Sequence, residues 1–502
     1  MALSQLTSWP PSQSSDQIEK LQDLAITYAL ANSLILKPII PAPDGATHAP
    51  FALFPSPFPR NEFEKALRIQ TSYNKLYAQI ASSPKFLREL IGKSVSKVDP
   101  FIGRLYSIWD RIDSKGLGSK ITLGIFRSDY LLHLDHEQHQ DQNPVIKQVE
   151  FNTVSVSFGS LGTKVSGLHR YLTTTTDAYS QLQLPQPVNH GLSSLAEGLA
   201  AAHRAYISLF QPKGSITILM ITQPNERNLF DQALLVHALA EDKDRIRMVR
   251  LSCHEILTST ELDESDSTLY YLENGRRTEV SVVYYRCMYG PEDFLSEDNW
   301  NGRERLESSR SINCPNLATQ LAGCKKIQQV LTDPKTLKGQ LELDDILSKT
   351  ELDELRSTWM PIYALDNHAL KLASDPITAA RFVLKPQREG GGHNIYGDRI
   401  PEFLKKLSTE ERDGYILMQL IQTPIGIRNV LIRPGPSVNR EPVEVISELG
   451  VLGVCLFKTD QQGSMEVMWN TEAGHLLRTK NSESDEGGVA VGISCLDSPY
   501  LV

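Results

Sequence analysis

Apolar residues in this chain recur first at helical spacing and later in short runs, and each change of period marks an element. Ile18, Leu21, Leu24, Ala25 and Tyr28 fall on one helical face, and Asp16 and Glu19 stand at capping-box spacing near its start, which predicts an amphipathic first helix. The run Leu53-Phe54-Pro55-Ser56-Pro57-Phe58-Pro59 predicts a rigid loop. Helical patterns then occupy roughly 62–115, and a strand follows at 121–126. From about residue 215, strand runs at 216–221 and 280–285 alternate with helical segments such as 229–240, the pattern of an α/β unit with a parallel sheet that ends near 316. Further strand signals lie at 382–384, 416–420 and 443–457, with long loops near 386–398 and 479–492. Loops of that length in a compact domain are functional or disordered. There is no internal repeat and no low-complexity tract.

Composition narrows the function classes. A chain of 502 residues, 40% apolar and 22% charged, buries more core than one ordinary domain and predicts two or three. With 51 basic and 60 acidic side chains the net charge is -9, which argues against a sequence-independent grip on nucleic acid but leaves room for a local basic pocket. The cysteines at 253, 287, 314, 324, 455 and 495 contain no Cys-x-x-Cys pair, so neither a zinc cluster nor a dithiol redox site is indicated. They read as reduced, mostly buried thiols of a cytoplasmic protein. Residues 1–17 lack a basic leader, and Thr27, Tyr28, Asn32 and Ser33 interrupt the apolar stretch 24–36, so neither a signal peptide nor a membrane span is expected.

Three segments carry candidate chemistry. The first, Phe382-Val383-Leu384-Lys385-Pro386-Gln387-Arg388-Glu389-Gly390-Gly391-Gly392-His393-Asn394, runs from a strand into a charged and then triple-glycine loop. Consecutive glycines let backbone N–H groups approach an anion, and Lys385 and Arg388 add positive charge beside a possible magnesium ligand, Glu389. The spacing is neither that of a P-loop nor that of a dinucleotide fingerprint, and a flexible surface linker would have the same glycines. The second, Lys147-Gln148-Val149-Glu150-Phe151-Asn152-Thr153-Val154-Ser155-Val156-Ser157-Phe158-Gly159, puts Glu150 and Asn152 on one strand face as two hard oxygen donors. A half-buried strand with a solvated face fits the same pattern. In the third, His475-Leu476-Leu477-Arg478-Thr479-Lys480 followed by Asp485-Glu486-Gly487-Gly488-Val489-Ala490-Val491-Gly492, Arg478 suits a carboxylate and Lys480 a phosphate, beside a second glycine loop able to exclude water; a solvated loop fits the same residues. Two smaller clusters are compatible with ligand binding or with capping: Glu226-Arg227-Asn228 with Gln232, and Arg127-Ser128-Asp129-Tyr130.

Taken together these segments resemble the eukaryotic glutathione synthetase family of ATP-grasp ligases. The resemblance extends from Ala49-Pro50-Phe51-Ala52-Leu53-Phe54-Pro55 through Phe126-Arg127-Ser128-Asp129-Tyr130, Glu226-Arg227-Asn228-Leu229-Phe230-Asp231-Gln232 and Ala318-Thr319-Gln320-Leu321-Ala322-Gly323 to Leu496-Asp497-Ser498-Pro499-Tyr500. It implies an α/β (α+β) ATP-grasp fold: a main body with antiparallel sheets beginning at 1–214, an inserted parallel α/β substrate domain at 215–316, and an ATP-grasp region at 317–502 with a mobile lid at about 360–440. It also implies a homodimer, alongside the cytoplasmic location and the lack of membrane or nucleic-acid binding expected from composition.

By matching motif, the resemblance makes Glu150, Asn152 and Glu389 the magnesium ligands. Lys325, Lys385, Gly390, Gly391, Gly392, Asn394 and Tyr396 would surround ATP together with Met418, Gln419, Leu420, Ile421, Glu448, Lys480 and Glu486. The peptide γ-glutamylcysteine would meet Arg127, Val154, Ser155, Val156 and Ser157, then Glu226, Arg227, Asn228 and Gln232, then Arg286 to Tyr289, with Arg478, Val489 and Ala490 closing over it. Arg478, Lys385 and Gly391 would act directly in catalysis. The implied reaction passes the γ-phosphoryl group of ATP to the cysteinyl carboxylate, and glycine then displaces phosphate from the acylphosphate to give glutathione and ADP. The loop Val489-Ala490-Val491-Gly492 departs from the usual Val-Ala-Ala-Gly, in a region where relatives that accept β-alanine also differ, so a β-alanine ligase is the runner-up. Gln419 stands where some members carry an acid. A noncatalytic ATP-binding regulator is the reading from a different class.

Overall fold

The computed structural model describes residues 9–502 except 41, 43, 135–142, 180–185, 334–342, 344–345, 388–391, 436–440, 461–462 and 486. The first described helix, Ser15–Ala31, is capped by Ser14 and Gln17 rather than by Asp16 and Glu19. Ser14 is still extended, so its Oγ can reach back to the Gln17 N–H at 3.3 Å, whereas Asp16 already lies inside the first turn. Ile18, Leu21 and Ala25 are buried as expected, but Leu24 is exposed.

The proline-rich run is also not a loop throughout. Ser56–Phe58 forms a short strand parallel to Pro499–Leu501, with Ser56 N donating to Ser498 O and Val502 N to Phe58 O. The sequence reading gave the prolines too much weight, because Pro57 falls between the two hydrogen-bonded positions, where the pairing does not need its missing N–H. Helix Arg60–Ala81 follows and packs against two seventeen-residue strands, Val443–Thr459 and Met465–Asn481.

Those strands belong to a fourteen-stranded sheet whose two halves differ in character. In one half Cys495–Asp497, Met465–Asn481, Val443–Thr459, Ile121–His133 and Val145–Asn152 pair antiparallel in that order. Ile312–Cys314 then joins Ile121–His133 in parallel and leads to Arg276–Tyr285, Ile216–Thr222 and Met248–Ser252, all parallel. The parallel pairing read from the alternation after residue 215 is therefore present, with helix Leu229–Ala240 as one of its crossovers. Strand Ile121–His133 outruns the predicted 121–126, so Arg127 to Tyr130 lie within it.

A second, four-stranded antiparallel sheet takes the order Ile362–Ala364, Tyr415–Gln419, Phe382–Pro386, Ile395–Tyr396. Leu365, Ala369, Phe382, Leu384 and Leu417 fill one of its faces, and Met360, Ile362, Val383, Ile416 and Met418 the other. The two loops expected near 386–398 and 479–492 are thus shorter, because Ile395–Tyr396 is paired and Met465–Asn481 includes Thr479 and Lys480. All six cysteines are free and buried. Among the described residues no helix is long and apolar enough to cross a membrane.

Candidate active site

Alternation along neighbouring strands brings charged side chains to one face of the large sheet. Arg127 faces Asn152, Asp129 faces Glu150, Gly450 faces Asp129, and Glu448 faces Arg478. Asp129 is the hub of this row. Its Oδ1 accepts from Arg127 Nε at 2.6 Å, and its Oδ2 accepts from Arg127 Nη2 at 2.8 Å, Asn152 Nδ2 at 2.9 Å and Arg478 Nη2 at 2.9 Å. Arg478 Nη2 also donates to Glu448 Oε1. Burial disfavours the Arg478 charge, yet Glu448 and Asp129 hold the guanidinium above its usual range. Burial raises the Glu448 carboxyl, with Arg478 opposing. Space for the Arg127–Asp129 pair comes from Gly450, where a Cβ would lie 2.8 Å from Arg127 Cδ and 2.9 Å from Asp129 Oδ1.

Two lysines reach the far edge of this row from other elements. Strand Val145–Asn152 carries a bulge, since Tyr130 faces Gln148 while Asp129 faces Glu150, and Val149 is left over. Its carbonyl accepts from Lys385 Nζ at 3.0 Å and from Gln328 Nε2 at 3.3 Å. Lys325, at the start of helix Lys325–Leu331, donates to Glu150 Oε2 at 2.7 Å. Burial opposes a charge on Glu150, but Lys325 and Lys385 hold its carboxyl far below the usual range. Burial brings Lys385 down to about 8, against the pull of Glu150 and with the push of Lys325.

Of the other expected nucleotide residues, Asn394, Tyr396 and the 418–421 run lie on or beside the second sheet, whereas Lys480 lies on the large one. Met418 and Gln419 end strand Tyr415–Gln419, and Leu420 and Ile421 pack onto its apolar face. Asn394 Nδ2 donates to the Tyr396 hydroxyl at 3.3 Å, and Gly392 takes a positive φ of 79°. Lys480 Nζ donates to Asp485 O at 2.9 Å. Arg388, Glu389, Gly390, Gly391 and Glu486 lie outside the described residues.

A second polar nest forms where the 152–157 segment meets the parallel strands. Val154 and Val156 are buried, Ser155 has φ 54°, and Ser157 Oγ accepts from Arg286 Nη2 at 2.9 Å. Arg286 also pairs with Asp231 at 3.1 Å, and Asp231 accepts from the N–H groups of Phe158, Ser160 and Leu161 at the start of helix Gly159–Thr175. Glu226 accepts from Asn228 N at 2.7 Å and from Gln232 Nε2 at 3.0 Å. Tyr289 accepts from Gln223 Nε2 at 3.4 Å. Arg227 reaches across to the second glycine loop, with Nε on Lys37 O at 3.1 Å and Nη1 on Ala490 O, while Val489 is buried.

Arg286 Nε and Nη1 and Asn228 Oδ1 are buried without a hydrogen-bond partner in the described structure. Buried donors and acceptors are almost always satisfied, so orphans clustered in one nest mark a place for a polar ligand or water. Sequence reasoning named Asp129 only within the Arg127–Tyr130 cluster and singled out neither it nor Asp231 as a hub. Asp129 had a usable signal, its i, i+2 relation to Arg127. Asp231 had none, because its capping contact to Ser160 spans 71 positions.

The fold and the two clusters define a mixed α/β protein with a candidate site for a multiply charged small molecule. The family model described as "Eukaryotic glutathione synthase, ATP binding domain" matches residues 15–501. Glutathione synthetase of Mus musculus is 36% identical over 507 residues, covering 99% of this chain and 100% of the relative. Glutathione synthetase of Homo sapiens is 36% identical with 98% of each chain covered, and the large chain of Schizosaccharomyces pombe is 36% identical with 97% of this chain and 98% of the relative covered. A glutathione synthetase-like effector (GSS30) from Globodera pallida, solved in its apo form, shares the fold with a TM-score of 0.75 at 22% identity, with 98% of each chain covered. The chain belongs to the eukaryotic glutathione synthetase family.

Proposed function

We propose that the chain is an ATP-dependent ligase that joins γ-glutamylcysteine and glycine to give glutathione, ADP and phosphate through an acylphosphate. The observation that carries this reading is the meeting of Lys325, Lys385 and Glu150 at the edge of the Asp129–Arg478 row, in a chain related to glutathione synthetases over nearly its full length. A carboxylate is a poor electrophile, so making an amide at neutral pH requires activation, and the two lysines supply positive charge for the transferring phosphoryl group. Gly390, Gly391 and Gly392 would close over the phosphates. Met418, Gln419, Leu420 and Ile421 would line the adenine, with Asn394, Tyr396, Glu448, Lys480 and Glu486 around the nucleotide.

The donor set fits magnesium. With Asn152 Nδ2 held by Asp129, Asn152 Oδ1 is the atom that can coordinate beside Glu150, and Glu389 would add a second carboxylate. Among the described residues no group of three or more His, Cys, Asp or Glu forms a metal cluster. Magnesium asks for none, since it takes one or two carboxylates plus substrate phosphates. When bound, the ion would neutralise phosphate charge.

Arg127, Val154, Ser155, Val156, Ser157, Arg286 and Tyr289 would hold the peptide, and Arg478 would orient its reacting carboxylate and stabilise the charge that develops when glycine attacks. The 215–316 unit would act as the substrate domain between body segments 1–214 and 317–502, with 360–440 as the lid. Six buried free thiols fit a reducing, cytoplasmic setting, and a homodimer is part of the same reading.

Glycine is favoured over β-alanine because Val491, the departure from the family loop, is 64% exposed, whereas Ala490 is tied to Arg227 and Val489 is buried. The test is ADP release from ATP, magnesium and γ-glutamylcysteine with the amine varied. Glycine should support release far better than β-alanine. Faster release with β-alanine would make the chain a homoglutathione-type ligase, and no release with either amine would make it a noncatalytic ATP-binding regulator.

A further inference from the structure

Arg250 lies in strand Met248–Ser252 of the parallel unit, and its Nε and Nη2 both donate to Gln232 Oε1, at 3.0 and 2.8 Å. The Nε2 of the same carboxamide donates to Glu226 Oε2 at 3.0 Å, and Glu226 Oε1 accepts the Asn228 backbone N–H at 2.7 Å. One relay therefore runs from the strand through helix Leu229–Ala240 to the turn that precedes it. Its direction is fixed by chemistry. A guanidinium only donates and a carboxylate only accepts, so a carboxamide between them has a single satisfactory orientation, oxygen toward Arg250 and nitrogen toward Glu226. Rotated by half a turn, Gln232 would set N–H against guanidinium and oxygen against carboxylate.

We propose that Arg250 is a positioning residue for the peptide substrate: by locking Gln232 it presents Glu226 beside Arg286 in the geometry that receives the zwitterionic amino-acid end of the γ-glutamyl group. The ammonium of that group suits Glu226, and its carboxylate suits the two unpartnered N–H donors of Arg286. Without Arg250 the Gln232 carboxamide turns freely, and Glu226 loses its fixed second donor. The charges already sense one another, since burial lowers the Arg250 pKa while Glu226 opposes and Arg286 reinforces that shift.

The proposal rests on the ligase reading, and steady-state kinetics of the full chain separates the two. In Arg250→Met the KM for γ-glutamylcysteine should rise by about tenfold, the scale of a lost charge-assisted hydrogen bond, while kcat and the KM for ATP stay within about twofold of wild type. Arg250→Lys keeps a donor for Gln232 Oε1 and should recover most of the peptide KM. In a Gln232→Ala background, adding Arg250→Met should change the peptide KM by less than about twofold, because the group through which it acts is gone. An unchanged peptide KM in Arg250→Met, a full additional rise in the Gln232→Ala background, or a parallel rise in the KM for ATP overturns the role of Arg250. Should Arg250→Met fail to fold, Arg250→Lys with a peptide KM no better than that of Gln232→Ala overturns it equally. A wild-type chain that releases no ADP with peptide and glycine overturns the ligase reading and this role together, whereas an active wild type confines any failure to Arg250.

Discussion

Asp129 gathers hydrogen bonds from Arg127, Asn152 and Arg478, three side chains on three strands, and the arrangement depends on the missing side chain of Gly450 opposite it. A methyl group there meets Arg127 and Asp129 below normal contact distance, and neither can move aside without loosening an ion pair 7% and 0% exposed. Gly450→Ala should therefore destabilise the chain by about 1–3 kcal/mol, the range for overpacking a filled interior. Urea denaturation checks this, and an unshifted midpoint would mean that the row has slack. The same residues show what the sequence hid. Charged residues usually end a strand, so Arg127 and Asp129 read as the exit from 121–126. The strand continues because each neutralises the other within the sheet. The common face of Glu150 and Asn152, by contrast, was legible from alternation alone.

Among the elements, helix Lys325–Leu331, the bulge at Val149 and the small second sheet do most to bring the lysines to the Glu150 edge. Strand Phe382–Pro386 was legible from its apolar run, and so was the strand Val145–Asn152 that it meets. Their meeting was not legible, because Lys385 and Val149 are 236 positions apart and Lys325 and Glu150 are 175 apart. No local period encodes a contact of that range, and only the family resemblance predicted it. Gly392, the last of the three consecutive glycines, takes φ 79°, and among the described residues nothing stands where its Cβ would be. Among the described residues a Cβ there meets no clash, so the cost of Gly392→Val is set by left-handed strain of roughly 1–2 kcal/mol. If this loop must close over phosphate, turnover should fall by more than about tenfold, the effect of a 1.4 kcal/mol change in barrier, while the melting temperature moves by only a few degrees. Stopped-assay kinetics paired with thermal melts reads both, and unchanged turnover would remove the closing role.

At the scale of the whole molecule, the C-terminal segment fastens the site to the N-terminal part of the chain. Cys495–Asp497 lies between Phe51–Ala52 and Met465–Asn481, and Asp497 accepts from Ser56 Oγ at 2.6 Å and Thr479 Oγ1 at 2.7 Å, next to Arg478. Burial, opposed by these hydrogen bonds, pushes the Asp497 carboxyl up to about 7. The folded chain thus holds this proton more tightly than the unfolded chain does, and its contribution is full below the ordinary aspartate range and lost as pH rises toward 7. Wild type should lose stability relative to Asp497→Asn between about pH 4 and 7, by an amount on the order of a few kcal/mol. Denaturation midpoints of the two proteins across that range check the sign, and parallel pH profiles would contradict it.

The central claim, that distant segments assemble one site for a metal-bound triphosphate, is tested most directly by a crystal structure with magnesium and a nonhydrolysable ATP analogue. The account predicts the triphosphate against Lys325 and Lys385, with the cation in coordination range of Glu150 and Asn152 Oδ1. A nucleotide bound away from these residues, or a cation beyond their reach, would contradict it.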